Sequence, residues 1–145
     1  MKIYVVPRSF VKQFNVKSSF FKDNNFISIG EFEGGEGVSA NGDNILKLVF
    51  EDISDREDGI LFTEEQAKQI KEFVDRIDKE KALFVNCQAG ISRSGAVGAA
   101  INDYVNYKLN DCQKSKDWYQ FFDMNTRIRP NAYVSRILKR TLELY

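Results

Sequence analysis

The chain has 145 residues, 43% of them hydrophobic and 13% aromatic, which fits a single domain with a sizeable core. Lys plus Arg and Asp plus Glu balance at 21 each, so no global basic field favours nucleic acid or an anionic membrane surface, and any anion site has to be local. Histidine is absent, which removes Ser-His-Asp and histidine-ligated zinc chemistry together, and two cysteines, Cys87 and Cys112, make neither a disulfide framework nor a metal pattern.

The opening "MKIYVVPRSF" has a short apolar stretch cut by Pro7 and followed by Arg8, unlike a signal peptide. No later apolar run approaches membrane-spanning length, so the expectation is a soluble, cytoplasmic protein. Residues 2–6 and 25–29 read as short strands rich in β-branched and aromatic side chains. The glycine-rich, acidic stretch "GEFEGGEGVSANGDN" reads as a surface loop whose Asn41-Gly42 turn leads into the alternating strand "ILKLVF". Thr63 and Gln66 stand in capping-box spacing, and Ala67, Ile70, Phe73, Val74 and Ile77 fall on one helical face. Residues 82–86, "ALFVN", form an apolar strand of the buried parallel kind, followed by a helix over residues 92–107. Without repeats or low-complexity tracts, residues 1–145 make one α/β domain, a central, mostly parallel sheet flanked by helices.

Between that apolar strand and helix stands "CQAGISRS", Cys87 followed by Gln88, Ala89, Gly90, Ile91, Ser92, Arg93 and Ser94. A loop running from a strand's carboxyl end into a helix N-terminus directs successive backbone N–H groups into one space, where the helix dipole adds positive potential. Gly90 permits a tight nest of amides, and Arg93 adds a planar fork suited to two phosphate oxygens. A cysteine in such surroundings loses its proton readily and becomes a nucleophile, and the Ser94 hydroxyl can steady the thiolate. Cys112 has no cationic setting in sequence and reads as a bystander.

The run resembles the signature loop, Cys-x5-Arg-Ser/Thr, of the cysteine-dependent tyrosine and dual-specificity phosphatases, and Ala89 and Ser92 add matches to the dual-specificity branch. Low-molecular-weight phosphatases carry the same loop near the N-terminus, whereas here it lies past the midpoint. The resemblance implies Cys87 as nucleophile, Arg93 as phosphate clamp, Ser94 as thiolate partner, and residues 88–93 as the substrate-binding loop. It departs at Asn86, where these families carry a histidine that braces the loop.

With no histidine, protonation of a leaving oxygen falls to a carboxylic acid. Related phosphatases place an aspartate after the strand that precedes the helix before the loop, which implies Asp52, directly after "LKLVFE", with Asp55 as the alternative. The implied activity is hydrolysis of phosphotyrosine, and of phosphoserine or phosphothreonine, in phosphoproteins or phosphopeptides through a cysteinyl-phosphate. No metal or organic cofactor and no nucleic acid or membrane partner is implied. The variable loop positions Gln88, Ala89, Ile91 and Ser92 are not basic, which disfavours a polyanionic substrate. A phosphoprotein-binding pseudophosphatase is the alternative, favoured by Asn86.

Overall fold

In a computed structural model, which describes residues 1–31, 37–54 and 58–145, four strands pair side by side. They are β1 (Ile3–Pro7), β2 (Asn25–Gly30), β3 (Ile45–Val49) and β4 (Leu83–Cys87), in the order β1-β4-β2-β3, and every pairing is parallel. Their sequences explain the arrangement: β2 is buried along its whole length and β4 nearly so, as expected of interior strands covered on both faces.

Helix α1 (Arg8–Lys12) and α2 (Ser19–Asp23) lie on one face, while α3 (Glu64–Arg76), α4 (Arg93–Asp103), α5 (Lys116–Met124) and α6 (Ala132–Thr141) build the other. Alternation along β4 separates its side chains. Leu83, Val85 and Cys87 join the large core formed with α3, α4, α5 and α6, whereas Phe84 packs with Phe10, Phe20 and Phe26 on the α1/α2 face. That second cluster is rich in rings, with Phe14 and Phe20 stacked at 3.9 Å between centroids.

The expected capping box opens α3: Thr63 Oγ1 accepts from the Gln66 amide and Gln66 Oε1 accepts from the Thr63 amide, both at 3.1 Å. Gln66 Nε2 also donates to the Val49 carbonyl at 2.9 Å, tying the helix to the end of β3. The expected helix over 92–107 is α4 followed by a π-helical turn, Tyr104–Lys108.

One expectation needs correcting. The glycine-rich stretch is not purely surface: Val38 and Ala40 are buried in the aromatic cluster, and Val38 N–H donates to Ser28 Oγ on β2 at 3.2 Å. Apolar burial wins there despite the turn-like composition. No helix among the described residues is long and apolar enough to cross a membrane.

Candidate active site

The polar residues with chemical potential gather at the carboxyl ends of the parallel strands, where open α/β sheets hold their ligands. Arg8 follows β1, Glu31 follows β2, Phe50 and Asp52 follow β3, and Cys87 ends β4. The loop after Cys87 leans on the first of these, since Arg8 N–H donates to the Gln88 carbonyl at 3.2 Å. Gly90 has φ +68 and sits so close to the backbone of Val6 and Pro7 that a Cβ there would lie 2.5 Å from Val6 C and from Pro7 N. Only glycine meets both demands.

Cys87 is buried at the bottom of this loop, with Sγ 3.0 Å from Ser94 Oγ. Burial alone pushes the thiol up. The Ser94 hydroxyl and the backbone N–H groups of Ser94, Ile91 and Gly90 outweigh it and hold the pKa below the ordinary thiol value. The loop thus stabilises negative charge where the sulfur lies. Gln88 and Ala89 are exposed on the outside of the turn, while Ile91 and Ser92 are half-buried.

Arg93 opens α4 and is only 4% exposed. Its Nη1 donates to the Phe50 carbonyl at 2.9 Å and its Nη2 to Glu31 Oε1 at 2.6 Å, while Nε is buried without a partner among the described residues. Phe50 is itself locked in the core against Phe62, at 4.8 Å between centroids. A guanidinium has five N–H donors in a fixed fork, so two anchors leave donors over. A buried N–H with no acceptor is costly, and an anion's oxygen is the natural complement. Glu31 bridges two arginines, its Oε2 accepting from Arg8 Nη2 at 3.0 Å.

Asp52 is exposed and anchored through one oxygen. Oδ1 accepts from the Ser92 hydroxyl at 2.8 Å and from Asn131 Nδ2 at 2.8 Å. Ser92, expected to line the substrate loop, therefore directs its hydroxyl to the carboxylate; its carbonyl accepts from the amides of Ala96 and Asn131. Asp52 is tied in this way to the residue just before Arg93, while Asp55 lies outside the described residues.

Among the described residues, Asn86 makes no side-chain hydrogen bond to the loop. Alternation turns it away from Cys87, toward the side of Ser28 and Gly37, and both its Nδ2 and Oδ1 are buried with no hydrogen-bond partner among the described residues. The loop's own amides and Ser94 lower the Cys87 pKa without it. Cys112 is exposed, in the turn before α5 and away from the strand ends.

Glu31 and Asn131 were not assigned roles by the sequence reading. Glu31 had a signal, an acidic residue directly after a strand expected in the parallel sheet. Asn131 had one too, a potential N-cap after proline and ahead of the last helix.

No sequence-family model matches the chain, and no curated protein matches it. Solved structures do. Human tyrosine phosphatase-like serine/threonine/tyrosine-interacting protein is 20% identical, with 99% of this chain and 92% of that chain covered and a TM-score of 0.63. The Cydia pomonella phosphatase PTP-2 is 16% identical over 97% of this chain and 85% of its own, with a TM-score of 0.59. A mouse putative dual specificity phosphatase complexed with zinc tungstate is 15% identical over 98% of this chain and 82% of its own, with a TM-score of 0.57. From the parallel sheet to the loop that carries Cys87, the chain has the fold of the dual-specificity and tyrosine phosphatases.

Proposed function

We propose that the protein is a cysteine-dependent phosphatase acting on phosphotyrosine, and on phosphoserine or phosphothreonine, in peptides and proteins. The observation that carries this reading is the Cys87 sulfur, held by the Ser94 hydroxyl at 3.0 Å and by loop amides that lower its pKa against the effect of burial.

In the first step the Cys87 thiolate attacks phosphorus in line with the scissile P–O bond. The loop amides and Arg93 hold the equatorial oxygens, and Asp52 gives its proton to the departing oxygen, yielding a cysteinyl-phosphate. In the second step water attacks phosphorus, Asp52 takes its proton, and the P–S bond breaks to return the thiolate. The Ser94 hydroxyl stabilises that thiolate as it leaves.

A binding module without turnover is the second reading. It is favoured by Asn86, which stands where the related phosphatases carry histidine and whose amide has no partner among the described residues.

Hydrolysis of a phosphotyrosine peptide, a phosphothreonine peptide and an inositol phosphate, compared side by side, separates the readings and ranks the substrates. The expected order is phosphotyrosine first and the inositol phosphate last. Cys87→Ser is expected to abolish turnover while retaining tungstate binding, since the amides and Arg93 are untouched. Turnover retained in Cys87→Ser overturns the mechanism, and tungstate binding with no turnover by the native protein favours the binding module.

A further inference from the structure

Asn131 stands where three parts of the molecule meet. Its backbone N–H donates to the Ser92 carbonyl at 3.1 Å, fastening it to the end of the anion loop. Its Oδ1 accepts from the Val134 amide at 3.1 Å and caps α6. That cap dictates which way the side-chain amide faces: with Oδ1 on the helix, Nδ2 turns to the acid loop, donating to Asp52 Oδ1 at 2.8 Å and to the Ile53 carbonyl at 3.3 Å.

The second donor to Asp52, the Ser92 hydroxyl, lands on the same oxygen. Oδ1 thus accepts two hydrogen bonds, and Oδ2 has no partner among the described residues. A carboxylic acid carries its proton on one oxygen, and an oxygen already accepting from two donors is the poorer seat for it. Oδ2 is therefore the oxygen left open to carry and pass on a proton.

We infer that Asn131 is a positioning residue of the reaction: it fixes Asp52 by one oxygen so that the other delivers the proton to the leaving group. This rests on the reading of Asp52 as the general acid. Asn131 touches neither substrate nor sulfur and acts wholly through Asp52. Because the same side chain caps α6, the orientation of the acid is set by a helix terminus rather than by the loop that carries it.

The test uses Asn131→Ser, which keeps a good N-cap but removes the amide donor, its shorter hydroxyl being engaged at the cap and falling short of Asp52, together with Asn131→Asp, which keeps the cap and opposes the Asp52 carboxylate with a second one. Each is measured on a phosphotyrosine peptide and on 4-nitrophenyl phosphate, alone and in an Asp52→Asn background, with tungstate inhibition as a check on the anion loop. In Asn131→Ser, kcat for the peptide is expected to fall roughly tenfold to a hundredfold, a share of what general acid catalysis supplies. The loss on the nitrophenyl ester, whose leaving group needs little protonation, is expected to be much smaller, and tungstate inhibition to be unchanged. In the Asp52→Asn background the Asn131→Ser substitution is expected to have no further effect. Asn131→Asp is expected to move the basic limb of the pH-rate curve upward, since a like charge favours protonated Asp52.

Equal losses on both esters, a full additional loss in the Asp52→Asn background, or an unmoved basic limb in Asn131→Asp overturn the proposal and leave Asn131 a helix cap. If Asp52→Asn alone causes no leaving-group-dependent loss, the acid is not Asp52; that overturns the reading beneath the proposal, and the proposal with it.

Discussion

Glu31 Oε1 accepts a hydrogen bond from Arg93 Nη2 at 2.6 Å, so the guanidinium at the end of the anion loop is held by the carboxylate that directly follows strand β2. The contact is charge-assisted and Arg93 is buried, so it fixes the fork before any ligand arrives.

Glu31→Ala is therefore expected to weaken tungstate binding and raise KM. A hydrogen bond to a charged group contributes about 1.5–3 kcal/mol, or roughly ten- to a hundredfold in affinity. Arg93→Lys is expected to lose most turnover despite keeping its charge, because an ammonium cannot reach the Phe50 carbonyl, Glu31 and a phosphate together. Unchanged tungstate inhibition in Glu31→Ala would show that Arg93 keeps its pose by other means.

Ser94→Ala removes the hydrogen bond that contributes most to lowering the Cys87 pKa, leaving burial to push the thiol up against the amides alone. The native protein is expected to be alkylated by iodoacetamide down to a pH below the usual thiol range, with reactivity falling as pH drops through the depressed pKa and the thiolate is protonated. In Ser94→Ala both that midpoint and the acidic limb of kcat/KM are expected to move to higher pH. Breakdown of the phosphoenzyme is also expected to slow, giving a larger burst with an aryl phosphate. A midpoint that stays in place sets aside the serine's role.

Asn86→Leu exchanges a buried amide, unpartnered among the described residues, for an apolar group of similar shape. An unsatisfied buried polar group costs about 1–3 kcal/mol, and for a chain of this size each kcal/mol moves Tm by roughly 2–4 °C. The expected outcome is a raised melting temperature with the alkylation midpoint of Cys87 unchanged, since Asn86 does not contribute to the low thiol pKa. A lowered Tm would mean that a water satisfies the amide.

Gly90→Ala forces a side chain into the left-handed region and against the Val6–Pro7 backbone. Loop closure around the sulfur is expected to fail, with loss of tungstate binding and a Cys87 pKa drifting toward the ordinary thiol value. Retained binding would show that the loop can rebuild around the methyl group.

Much of this was legible because local chemistry and tertiary context agree at those positions. The capping box at Thr63, the alternation of β3, the apolar run of β4 and the Cys87–Ser94 loop each carry their own signal over a few residues. Helices α1 and α2 did not, being five residues long, too short for a 3.6-residue period to register. Helix α5 had one, with Trp118, Phe121 and Phe122 on one face behind the Ser115 cap. Glu31 carried only a positional signal, an acidic residue directly after an expected strand, which does not reveal its partner. Its importance depends on β2 lying next to β4, and strand order is a property of the folded sheet rather than of any window of sequence. Asn86 failed in the opposite sense: position next to Cys87 suggested a shared environment, but strand alternation sends the two side chains to opposite faces.

The place of β1 at the edge of the sheet bears on how the chain completes its loop around the sulfur. Among the described residues it pairs only with β4, Ile3 opposite Leu83 and Pro7 opposite Cys87, so its docking has to await a contact between distant parts of the chain. Gly90 rests on Val6 and Pro7, and the Gln88 carbonyl accepts from Arg8 N–H. Until β1 is in place, the Gln88–Gly90 turn lacks the backbone it rests on, although β2, β3 and β4 can already stand together and Ile91 and Ser92 are held from the other side by Arg129 and Asn131. Fraying of this one strand would undo the cradle around the sulfur while the core beneath α3 and α4 persists. Amide hydrogens of β1 are therefore expected to exchange faster than those of β2, and tungstate to slow exchange at β1 more than at β3.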